Sequence, residues 1–267
     1  MFLTKKGLLK SLIMAICYFA LGSFCISSGL VFSWLESDSK LFFILGAFCY
    51  VACPVVALWG FYAESKGKVI RSGNKLVRNE LKPYEFIKKY QQLRNSTDTV
   101  INKPSVEVLQ LVALAYDFLG DRENSLAVAD EMIAVASDKK KMYAKLIKCS
   151  LLFSYGMVDE AEAIFSEARS SKLNFVCQAL VDSIYKSDRA MAMGDYKTVE
   201  AYCQARLLQG FPKLAPVSKL VVHYQLGEAY EKMKDSEKAI FYYRYCVENA
   251  GETSILGSAQ AALERLQ

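Results

Sequence analysis

Two uninterrupted apolar stretches open the chain, and a helical alternation of apolar and polar positions takes over after them. From Ser11 to Leu35, and again from Leu41 to Ala63, no charged residue occurs, and Leu, Ile, Phe and Ala dominate. Each stretch exceeds the roughly 20 apolar residues that cross a hydrocarbon core. The pattern predicts two transmembrane helices, at about 11–35 and 41–63, joined by the short connection ESDSK (36–40). A buried hairpin in a soluble protein is the alternative, and the length of both runs argues against it. A cleaved secretory signal fits less well. The first run is longer than the roughly 7–15 residues of a signal core, and no A-x-A site closes it.

Beyond Pro83 the apolar positions recur at helical spacing, broken by short turns of one kind: LGDRENS (119–125), YGMVDEA (155–161), MGDYKTV (193–199) and MKDSEKA (233–239). Their turn residues Gly120, Gly156, Gly194 and Lys234 stand 36, 38 and 40 apart. An apolar helical stretch precedes and follows each turn, so the pattern predicts a helix–turn–helix unit present four times. In the last copy Leu226-Gly227, Tyr230, Ala239, Tyr243 and Cys246 alternate small and aromatic residues. There the chain resembles the tetratricopeptide repeat, with His223 where that family prefers Trp and Gly251 where it prefers Pro. The first copy (Val112-Ala113, Tyr116, Ser125, Ala129) and the second (Gly156, Ala161, Phe165, Ala168) follow less closely, and the second places Lys148 at an expected apolar position. The third keeps Gly194-Asp195 but fills later positions with Val199, Cys203 and Arg206. The resemblance covers roughly 105–250 and implies an all-α solenoid, with YEFIKKYQQL (84–93) and TSILGSAQAALERL (253–266) as caps.

The resemblance also implies a site. In that family the first helix of each repeat lines a concave groove. Carrying those positions over names Gln110, Asp117, Tyr143, Leu146, Phe153, Ile184, Met191, Tyr224 and Glu231 as candidate groove residues. Each has an equal alternative as core, because first helices also pack on one another. An apolar segment or an amphipathic helix suits such a lining. The Lys and Asn with which some members clamp a terminal carboxylate are missing at the aligned sites. In FYYRY (241–245), Tyr243 takes a packing position, and Phe241, Tyr242 and Tyr245 are candidates for an outer contact.

Charge then fixes an orientation. Residues 1–82 hold 10 Lys+Arg against 4 Asp+Glu, whereas 83–267 hold 23 against 24. The overall +5 is therefore a property of the membrane flanks and gives no basic patch of the kind nucleic acid requires. Lysines before the first span and the basic stretch after the second predict cytoplasmic termini. The expected division is a two-span hairpin over 1–63, a basic juxtamembrane linker over 64–82 that also touches anionic lipid, and a solenoid over 83–267. Within the spans, Gly22 and Gly29 in the first and Cys49, Cys53 and Ala57 in the second lie at spacings that let helices pack closely. Those faces also admit self-association. No ionisable residue lies inside either run, so a proton or ion path has no support.

His223 is the lone histidine, which leaves a hydrolytic triad or a His-ligated zinc site without partners. Reading Cys49 and Cys53 as a metal or redox pair lacks His or acidic company. Phosphate-binding glycine motifs are missing too. No enzyme activity, cofactor or metal is expected. The expectation is a scaffold anchored in the plasma membrane that binds a protein or peptide partner at the cytoplasmic face. The alternative is an assembly or quality-control factor whose hairpin binds partner spans.

Overall fold

A computed structural model of the chain describes residues 67–95, 104–209 and 214–267, together with single helical positions at 16, 17, 20, 23 and 44. Apart from those single positions both expected spans, with Gly22, Gly29, Cys49, Cys53 and Ala57, lie outside the described residues. Among the described residues no helix is long and apolar enough to cross a membrane. The chain divides into two units, Met1–Val69 and Ile70–Gln267, and all four expected turns lie in the second.

Every regular element among the described residues is helical. In the second unit a π-helical segment Asn74–Asn79 leads into α1 (Pro83–Asn95). Four hairpins come next, beginning with α2 (Val106–Phe118) on α3 (Arg122–Val135) and α4 (Asp138–Ser154) on α5 (Val158–Ser170). The third pairs α6 (Phe175–Ile184), extended through a π turn (Tyr185–Arg189) and Ala190–Ala192, with α7 (Tyr196–Leu208). The last pair is α8 (Pro216–Lys232) with α9 (Ser236–Asn249), and α10 (Ile255–Leu266) closes the chain. Each helix packs on the next in sequence, as a solenoid requires.

The four expected turns share one geometry. Gly120, Gly156, Gly194 and Lys234 all have positive φ, at 75°, 76°, 77° and 63°. The N–H of the following residue reaches back to the last turn of the first helix: Asp121 to Tyr116 O, Met157 to Leu152 O, Asp195 to Ala190 O and Asp235 to Tyr230 O, all within 2.8–2.9 Å. This is the left-handed C-terminal stop that glycine favours. Three of the four turns then start the second helix with an aspartate cap, accepting from the N–H of Asn124, Thr198 and Lys238. Met157 stands in the fourth place and caps nothing.

The second helices seat equivalent residues in the core. Five positions after the turn stand Ser125, Ala161, Val199 and Ala239, all fully buried; nine after it stand Ala129, Phe165, Cys203 and Tyr243, equally hidden. The buried Ser125 hydroxyl donates to Ala113 O at 3.0 Å, so its polarity is satisfied. Lys148 carries its ammonium out to Asp130 at 2.6 Å, which explains how a lysine occupies an expected apolar position. His223 is buried, stacked on Tyr245 with centroids 3.7 Å apart, and its Nδ1 lies 2.8 Å from Lys219 O. Of the aromatic run, Tyr242 stacks on Tyr230 and Tyr245 on His223, leaving Phe241 as the exposed ring.

Two features set this array apart from a plain row of hairpins. Its end meets its beginning: Ser254 N–H donates to Phe118 O at 2.7 Å, and Glu252 N–H to Leu81 O at 3.0 Å. The second feature concerns the expected 64–82 stretch, of which residues 70–82 belong to the second unit. The π-helical segment packs on α1, α2 and α8, burying Leu76 and Val77, and Leu81 is buried just after it. Burying such an aliphatic side chain stabilises by about 1.5–3 kcal/mol, enough to hold a segment whose charged residues point elsewhere. Gly73 permits the approach, since a Cβ there would sit 2.8 Å from the Leu111 side chain.

Candidate protein-binding groove

The first helices α2, α4, α6 and α8 are tied to one another by hydrogen bonds between residues about one repeat apart. Tyr143 donates to Gln110 at 2.9 Å, and Tyr155 donates to Asp117 at 2.7 Å. Asp188 accepts from Ser150 on the helix before it and from Gln225 on the helix after it. Lys140 pairs with Glu107, and Arg265 on α10 donates to Glu231 at 3.0 Å. Arg265 stands 34 residues after Glu231, so α10 takes the place of a fifth first helix and caps the array. Side chains that fix neighbouring repeats in this way set the curvature of the surface they line.

Burial gives this polar row unusual electrostatics. Removal from water pushes the Asp117 and Asp188 carboxyls above the ordinary carboxylate range, and the charge of Asp188 adds to the effect at Asp117. Glu228 is pushed up to about 7, chiefly by burial and further by Glu231, with the Tyr224 hydroxyl bond opposing. The Cys149 and Cys203 thiols, buried beside Asp188, are raised to about 12 and carry no thiolate at neutral pH. Among the described residues no group of His, Cys, Asp or Glu is arranged to hold a metal ion.

The nine candidate groove residues divide. Gln110, Asp117, Tyr143 and Glu231 are partly exposed, and each takes part in the hydrogen bonds between helices, Glu231 also accepting from Tyr243 at 2.7 Å. Tyr224 is partly exposed, against Tyr243, and Met191 is half-buried. Leu146, Phe153 and Ile184 are not groove residues. At 0%, 3% and 1% exposed, they form one core cluster with Cys149, Leu152 and Phe165. Ile184, just before the π turn at Tyr185–Arg189, and Leu146 both stand ten before their turns and enter the same cluster. Leu146 and Phe153 lie on the face of α4 that meets α5 and α6. Reading the chain alone missed Ser150, Asp188 and Glu228, which share the place six before the turn. The signal was present in the spacing, as two acids and a serine at one repeat position.

Within this array one stretch has a family match. Residues 220–252 match the tetratricopeptide repeat. No curated protein and no solved structure matches the chain. The matched stretch covers most of α8 and all of α9, the hairpin whose residues carried the resemblance. An all-helical, tetratricopeptide-like array with that repeat at its end is a protein-binding scaffold in kind, since solenoids present extended surfaces to other proteins.

Proposed function

We propose that the chain is a membrane-anchored, tetratricopeptide-like scaffold that binds a protein or peptide partner at the cytoplasmic face, and that it is not an enzyme. The observation that carries this reading is the repeat match at 220–252 within four hairpins of one turn geometry. The two uncharged runs at 11–35 and 41–63, with basic residues on their outer flanks, support the anchor and its orientation. The test is a crosslinking capture from native membranes, using the intact chain and a chain whose 1–63 hairpin is replaced by an unrelated two-span hairpin. The same protein captured by both supports the scaffold; no specific capture by either sinks it. A reporter fused after Gln267 and active only outside the cytoplasm overturns the orientation.

A second reading has an observation in its favour. Residues 70–82 already lie against the first helices, which leaves less of that face open and shifts recognition toward the hairpin. On this reading the chain is an assembly or quality-control factor for a membrane complex. Capture lost with the replaced hairpin favours it.

A further inference from the structure

The segment that precedes α1 lies against helices of the kind that line the partner surface of such a scaffold. It packs on α2 and α8, the first helices of the first and last repeats, and Arg78 acts electrostatically on Tyr143 of the second. Three apolar side chains seat it: Leu76 and Val77, adjacent in the π-helical stretch, and Leu81 beyond it, at 5%, 0% and 7% exposed. Arg71, Lys75 and Lys82 are exposed, Lys75 pairing with Glu80 of the same segment at 3.5 Å, whereas Arg78 is partly buried. Outside α1 and among the described residues, one backbone hydrogen bond ties residues 70–82 to the rest of the unit, from the Glu252 N–H to Leu81 O.

Its conformation is also costly. Six residues run as a π helix, which is rare over that length. Leu81 adopts φ +54°, a left-handed conformation disfavoured for residues with a side chain. Each feature also occurs once within the repeats, at Tyr185–Arg189 and at Lys234, but only here do the two fall in one short segment. Together these are the marks of a short helix held as a ligand, by a few apolar anchors and against local strain.

We propose that residues 70–82 are a ligand held in cis by the groove between α2 and α8. The partner that enters this groove carries a short helix of the same chemistry, with two adjacent aliphatic residues on one side and Lys or Arg on the other, and displaces them. Because the segment comes directly after residues 1–69, partner binding changes how the repeats are tethered to whatever holds that stretch. The inference rests on the scaffold reading for the identity of the partner alone; occupancy in cis is independent of it.

The probe is a fluorescein-labelled peptide of sequence IRSGNKLVRNELK (70–82), titrated by fluorescence anisotropy against the full-length chain in detergent micelles. The native chain is compared with Val77→Asp, and a Val77→Asp peptide serves as control. The expected result is at least about tenfold tighter binding of the native peptide to the Val77→Asp chain than to the native chain, with the control peptide binding neither. Equal binding to both chains, or none to a Val77→Asp chain that keeps its helical circular dichroism, overturns the proposal. Should Val77→Asp lose that signal, hydrogen exchange on the native chain decides. With excess peptide, amides 76–82 are expected to exchange faster while α2 and α8 stay protected. Unchanged exchange at 76–82 overturns the proposal. A partner captured from membranes that the peptide fails to displace leaves the scaffold standing and removes this inference alone.

Discussion

In the fourth repeat Gly227 leaves room for the Tyr243 ring, and Ala239 and Cys246 complete a buried seam of small residues around one large one. In the third repeat the equivalent places hold Ser187, Cys203, Val199 and Arg206. The large residue has become small, and the three small ones have grown. The first three are nevertheless buried as their counterparts are. What the hairpin requires is a filled volume between its helices, and exchanging sizes across the seam meets that requirement as well as the family's own choice does. The third repeat adds a device the fourth lacks. Its π turn places Asp188 where serine and glutamine from both neighbouring helices reach it.

The comparison is broken most severely at Gly227. A Cβ there would stand 2.8 Å from the Tyr243 ring, which is itself buried and cannot withdraw. Gly227→Val is expected to destabilise the fold by about 3 kcal/mol, from overpacking at a site with no slack. At the equivalent place in the third repeat, Ser187→Ala removes only the hydroxyl that donates to Ser183 O at 2.9 Å and to Asp188. The expected cost is about 1 kcal/mol. Urea unfolding of both variants checks the ordering. Similar losses would mean that the two seams are equally tight.

A second contrast concerns acids at the place six before the turn. Glu228 keeps its proton up to about pH 7 in the folded chain because burial disfavours its charge, whereas the unfolded side chain loses it near 4.5. Over that window the folded state binds more protons than the unfolded one. Stability therefore falls as pH rises from about 4.5 to 7 and is level above. Glu228→Gln should remove this slope and stabilise the chain at pH 8 by on the order of 2 kcal/mol. Asp188 has the same sign of effect, and its three donors, Ser150, Ser187 and Gln225, offset part of it. Melting temperature followed from pH 5 to 8 for the native chain and Glu228→Gln decides. Parallel curves would remove Glu228 as the source.

The same contrasts explain what could be read from the chain alone. The turns were legible because a Gly between an apolar helix and an aspartate cap admits few other structures; two of the four have both residues and the other two have one of them. The fourth repeat was legible because its small and aromatic residues stand in a familiar order. The π turn was not, since YKSDR carries nothing that distinguishes it from ordinary α-helix. The burial within 70–82 was not legible, because Arg71, Lys75, Arg78 and Lys82 mask four aliphatic residues in any local reading. Its burial depends on α2 and α8, which lie far away along the chain. Asp188 was missed for a similar reason: its partners Ser150 and Gln225 are 38 and 37 residues distant.

The smallest contrast lies in the turns themselves. Gly120, Gly156 and Gly194 adopt φ near +75° without steric cost, whereas Lys234 adopts +63° with a Cβ in place. A left-handed conformation costs a residue with a side chain about 1–2 kcal/mol. Part of any gain from glycine is returned through the greater freedom it gives the unfolded chain. Lys234→Gly is therefore expected to stabilise by about 0.5–1 kcal/mol, and Gly194→Lys to destabilise the third repeat by about 1 kcal/mol. The urea midpoint should rise for the first and fall for the second, with an unchanged slope in both. A lower midpoint for Lys234→Gly would show that the lysine side chain stabilises the fourth turn by more than its backbone strain costs. The turn would then be held by its side chain rather than by its conformation, unlike the other three.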